Sequence, residues 1–241
     1  MLKDLNPGIS GSFANGGNFT KVGKTLYFHR SNRSWQLWKS DGSPEGTVLV
    51  KDLPATNFWR YPFYFTDING TLFFSPNELN NGYEIWKSEG TDSSTNIIKD
   101  IVIGANSSYP NSFASIDSTL FFTADDGING RELWKSDGTS SGTALVKDIF
   151  DLSGSSSPKD LTNINQTLYF SAYDGPNGYE LWKSDGTESG TYLIKDIFPG
   201  TDGSRPEYFT GLNGDAYFAA NDGTSGYELW KTDGTTNGTL M

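Results

Sequence analysis

Few residue types in this chain could do chemistry, and their counts limit which chemistry. Histidine occurs once, as His29, so no site built on two imidazoles exists in the 241 residues. Cysteine is absent, which removes disulfides and thiolate zinc sites. Carboxylates are plentiful, but a glycoside hydrolase needs two at a fixed separation in a cleft. Asp67, Asp117, Asp160 and Asp215 fall at strand ends and turns, and the length leaves no room for cleft-shaping loops. The chain is therefore expected not to be an enzyme.

The other candidates are cations and rings. Three of the five Arg, namely Arg30, Arg33 and Arg60, fall in two short stretches with His29, Trp35, Trp59 and Tyr61. Arg forks bind carboxylate or sulfate, and Trp and Tyr rings stack on the apolar faces of sugars. The same residue types dominate protein–protein hot spots. These seven residues are expected to form one exposed ligand surface, and loop drift is the bland alternative. His29 alone reads as an incidental loop residue, because no nucleophile stands beside it. Asp126, Asp174 and Asp222, each followed by Gly, are weak calcium candidates. Calcium takes about six to eight oxygens, and the loops of the segments ADDGINGRE, AYDGPNGYE and ANDGTSGYE offer one or two Asp each. Turn chemistry is the better reading, so no metal or other cofactor is expected.

A repeat positions all of these residues. Trp38, Trp86, Trp134, Trp182 and Trp230 are spaced 48 residues apart. Each stands in one phrase: QLWKSDGS, EIWKSEGT, ELWKSDGT, ELWKSDGT and ELWKTDGT. A second phrase, LKDL, VKDL, IKDI, VKDI and IKDI, keeps the same period. Within the second repeat the pattern predicts strands over Phe63–Ile68, Thr71–Ser75, Tyr83–Ser88 and Thr95–Ile101. Asn69-Gly70 between the first two is a hairpin signal. Four short antiparallel strands per 48 residues predict a five-bladed β-propeller spanning residues 1–241 as a single domain. Leu2–Leu5 are expected to complete the last blade and close the ring. That register also predicts cross-strand pairs of Glu84 with Lys99, Glu132 with Lys147, Glu180 with Lys195 and Glu228 with Lys3. The five repeated Trp are expected to be buried between blades.

These phrases resemble the bacterial ELWxxDGT repeat family across all five repeats. Gln36 and Ile85 depart from its Glu and Leu, Glu89 from its Asp and Ser43 from its Thr. The resemblance implies a secreted or surface-attached protein and assigns no catalytic residues.

Departures from the repeat fall mostly in the first two units. Leu5 to Phe28 spans 23 residues against 21 elsewhere, and Phe28 to Trp38 spans 10 against 12. Trp35 and Trp59 are the two Trp outside the repeat, and Arg131 and Arg205 are expected on the same face. Lys behaves oppositely: ten of thirteen occupy two repeat columns. A net charge of −11 argues against nucleic acid and anionic membranes as partners. No apolar run is long enough to span a membrane, and no signal peptide opens the chain. The expectation is a monomeric extracellular or cell-surface binding module, lectin-like, with carbohydrate as ligand. A protein-binding adhesion module and a purely structural module are the alternatives.

Overall fold

A computed structural model describes residues 3–5, 18–31, 34–54, 64–151 and 154–241. Among them are 21 strands in six antiparallel sheets. The alternation of aromatic and β-branched residues with Gly- and Asn-containing turns accounts for an all-β chain. The chain divides into two compact bodies, Met1–Asn111 with Gly138–Ser140, and Ser112–Asp137 with Ser141–Met241. No helix among the described residues is long and apolar enough to cross a membrane.

The third and fourth repeats are regular. In the fourth, Lys159–Ile164, Thr167–Tyr173, Tyr179–Ser184 and Tyr192–Lys195 pair in chain order. Phe170 and Leu181 are fully buried, and Trp182 is 6% exposed. The repeated Trp are buried as expected in four repeats, whereas Trp38 is half-buried.

The five-bladed ring, with four strands in every blade and closed by the N-terminal strand, is not what the structure shows. The sheets are separate and none closes on itself. In the second repeat the third strand is divided into Gly82–Tyr83 and Ile85–Ser88, and Gly82–Tyr83 pairs with Asn77–Glu78 as a separate ribbon. Pro76, which has no N–H to carry a ladder onward, separates that ribbon from Thr71–Phe74. The fifth repeat has three strands, and Lys231 and Leu240 form a lone bridge in place of a fourth. Residues 3–5 form no strand; the Lys3 ammonium instead donates to the Pro44 and Thr47 carbonyls of the first repeat. Leu229 is accordingly 67% exposed, while its equivalents Leu133 and Leu181 are fully buried.

The expected Glu–Lys pairs are also corrected. Lys147 stands opposite Leu133 and Lys195 opposite Leu181, each at a register shift in the ladder. Lys99 likewise faces Ile85. The bulge frees the Glu to point elsewhere.

Candidate functional site

Each freed Glu reaches into the loop that opens the next repeat. Glu132 accepts from the backbone N–H of Ile149 at 3.1 Å and of Ser156 at 2.7 Å, and from the Ser156 hydroxyl. Glu180 does the same with Ile197, Phe198 and Ser204, and Glu84 with Ile101, Val102 and Ser108. All three carboxylates are fully buried. Burial pushes Glu84 and Glu132 up to about 7 and raises Glu180, with the donated hydrogen bonds opposing it.

The latched Ser opens a Ser-x-Pro segment: Ser108-Tyr109-Pro110, Ser156-Ser157-Pro158 and Ser204-Arg205-Pro206. The middle residue is left-handed each time, with φ of 49°, 43° and 50°. That conformation is uncommon for residues other than Gly. It is held because the same residue's N–H donates to the carbonyl of Tyr83, Arg131 or Tyr179. Three residues on, Ser112, Asp160 and Tyr208 are left-handed as well. Backbone strain of this kind, fixed by surrounding bonds, is characteristic of ligand-holding loops.

In the second body, two such segments border a cavity of about 390 Å³. It is lined by Lys159, Asp160, Ser171, Tyr179, Arg205, Pro206, Glu207 and Tyr227. The ladder of the fourth repeat shifts register between Lys159 and Thr162, which sets Lys159 and Asp160 at the rim. The Lys159 ammonium lies 4.4 Å from the centre of the Tyr179 ring. Among the described residues, neither Lys159 nor Arg205 is ion-paired with Asp160 or Glu207. The site thus offers two cations, two phenol rings and two carboxylates around an open space.

The sequence-predicted surface is arranged differently. His29, Arg30 and Trp35 are 1%, 6% and 2% exposed, so the expected exposure fails for all three. The reason is strand placement: Thr25–Ser31 and Trp35–Ser40 pair directly, with His29 opposite Leu37. His29 stacks on Trp35 with ring centres 6.1 Å apart, and Trp35 stacks on Phe74 at 5.4 Å. Burial lowers His29 to about 4, and its Nδ1 accepts from the Asn18 N–H. Arg33, Trp59, Arg60 and Tyr61 lie outside the described residues.

Asp126, Asp174 and Asp222 cap their own turns. Asp126 accepts from the N–H groups of Ile128 and Asn129 and from the Asn129 amide; Asp174 holds Asn177 and Asp222 holds Ser225 in the same way. Among the described residues no group of three His, Cys, Asp or Glu could hold a metal ion. The Asp of the repeat phrase is architectural too: Asp41, Asp185 and Asp233 each accept from the backbone N–H and the hydroxyl two residues on.

Sequence reasoning expected Arg205 on the ligand face but did not single out Lys159, Tyr179 or Tyr227. One signal was present: Lys159 is one of three Lys outside the two repeat columns. The latch leaves a trace as well. Where Gln36 replaces the Glu, Arg60 replaces the Ser that the latch would bind.

No family model matches the chain, and no curated protein matches it. Among solved structures, it is similar to a prolyl endopeptidase studied for inter-domain dynamics in catalysis and specificity. That likeness has a TM-score of 0.57 at 11% identity and covers 92% of this chain and 33% of the other. A puromycin hydrolase variant complexed with PGG (TM-score 0.48, 11% identity) and TolB from Acinetobacter baumannii (0.45, 13%) are more distant. They are covered over 43% and 53% of their lengths, by 90% and 86% of this chain. The chain thus spans at most about half the length of these proteins. The first likeness concerns fold alone: the chain is an all-β repeat protein of propeller-like fold.

Proposed function

We propose that the chain is a non-catalytic binding module whose ligand is a carbohydrate, held in the cavity between Tyr179 and Tyr227. The observation that carries this reading is the convergence there of two phenol rings with unpaired charged groups, on backbone fixed in left-handed conformations. Phenol rings suit the apolar faces of sugar rings, and Ser171, Asp160 and Glu207 suit their hydroxyls. The ELWxxDGT-like phrases favour an extracellular or surface-attached setting. A glycan array probed with the purified chain tests the reading. Retention of a defined glycan class, lost in Tyr227→Ala with unchanged circular dichroism, is the expected result. An array without any retained glycan overturns it. A protein ligand is the second reading, favoured by Leu229, Leu212 and Tyr208, which are exposed on the fifth repeat.

A further inference from the structure

We infer that the ligand of this cavity carries an anionic group, received between Lys159 and Arg205; the inference rests on the carbohydrate reading above. Cations outside the repeat columns are scarce in this chain. Ten of the thirteen Lys stand in the two repeat columns. Several of these are committed to holding repeats together: Lys135 donates to the Gly186 carbonyl, Lys183 to Gly234 and Lys195 to Thr239. Lys159 belongs to neither column.

Arg205 is likewise specific to its repeat, since Tyr109 and Ser157 occupy the equivalent places. Its backbone is not free to swing. Ser204 before it is latched to Glu180, its own N–H donates to Tyr179 at 2.9 Å, and Pro206 follows. The guanidinium therefore stands on a fixed base at the rim, and Arg205 is exposed. Lys159 is placed by the bulge and leans over Tyr179.

Two cations thus border one small cavity in a chain of net charge −11, with no carboxylate of the described residues within ion-pair distance of either. Like charges lining one cavity repel, and an anion between them reverses the sign. A guanidinium also offers a planar fork that fits a carboxylate or sulfate. Asp160 and Glu207 line the same cavity and would repel an anion placed against them, so an anion is favoured where it meets Lys159 and Arg205. Sugar hydroxyls fit the Asp160 and Glu207 carboxylates, and the rings fit the body of the saccharide. The ligand class is an acidic saccharide: a uronate or a sulfated sugar.

The test titrates the intact chain with matched pairs: an oligogalacturonate and its carboxyl-reduced neutral counterpart, and a sulfated galactan and its desulfated form. At least one acidic member should bind about tenfold or more tightly than its neutral partner. Arg205→Ala should remove that preference, Arg205→Lys should keep part of it, and Lys24→Ala, remote in sequence, should leave it intact. Added salt should weaken the acidic member alone. Acidic and neutral members binding equally would overturn the anionic inference and leave the carbohydrate reading standing. Binding by none of the four overturns the inference; if the glycan array is blank too, the carbohydrate reading falls with it.

Discussion

In the first repeat, the residue two places before the repeated Trp is Gln36, and its amide serves its own sheet. It accepts from the Trp38 indole N–H at 3.2 Å and donates to Asp52 at 2.9 Å. In the third and fourth repeats the same place holds Glu132 and Glu180, which turn away and bind the following repeat. The indoles of Trp134 and Trp182 are then buried without a hydrogen-bond partner, and so is one oxygen each of Asp148 and Asp196, the equivalents of Asp52. One side chain cannot satisfy both neighbourhoods. The regular repeats leave local donors and acceptors unmet in exchange for a buried bond to the next repeat, and the first repeat does the reverse.

That contrast can be broken from either side. The largest effect is expected from Glu132→Ala, which strips the buried Ser156 and Ile149 donors of their acceptor; the cost should be about 3 kcal/mol or more in urea unfolding. Gln36→Ala should cost about 1 kcal/mol, because the Gln36–Asp52 bond is exposed to solvent. Equal costs at the two sites would erase the distinction.

Solution pH gives the next effect. Glu84 and Glu132 sit near 7 when folded, above the ordinary range near 4.5, because burial disfavours their charge. The folded chain therefore keeps protons that the unfolded chain releases, so this contribution is full below about pH 4.5 and fades as pH rises through 7. The melting temperature should fall across that interval, and the double variant Glu84→Gln, Glu132→Gln should show a flatter profile. A profile with the same slope in both proteins would assign the pH dependence to other groups.

The smallest effect sharpens the indole comparison. Trp134→Phe removes a donor that has no partner, whereas Trp38→Phe breaks a bond to Gln36. After correction for lost ring area, Trp38→Phe should cost about 0.5–1.5 kcal/mol more. Parity between the two would mean that the Trp38 bond contributes nothing net.

Much of the repeat architecture was legible because period and turn residues are local properties. The Trp spacing, the Asn-Gly hairpin and the Asp-Gly turns all appear where the pattern places them. Ring closure was not legible, since it depends on where residues 2–5 pair, and alternation says nothing about which partner wins. The Glu–Lys pairs failed for a subtler reason: one bulged residue moves Lys147 from Glu132 to Leu133, and no composition signal marks the bulge. The expected exposure of His29, Arg30 and Trp35 fails because rare residue types were read as loop residues. His29 and Trp35 instead fill a core that joins the first two repeats, where they stack on each other and Trp35 stacks on Phe74. The cavity at Lys159 and Arg205 was marked in the sequence only by a Lys out of column and by an Arg expected on the ligand face.

The latch also has a direction. Glu84, Glu132 and Glu180 all accept from residues later in the chain, and Lys135, Lys183 and Lys195 all donate to later carbonyls. A ribosome delivers the chain from the other end, N-terminus first. Each repeat leaving the exit tunnel therefore carries a carboxylate whose partners have not been made; Glu132 waits 24 residues for Ser156. In the first repeat Gln36 bonds inside its own sheet, so these particular bonds form without waiting for a later repeat.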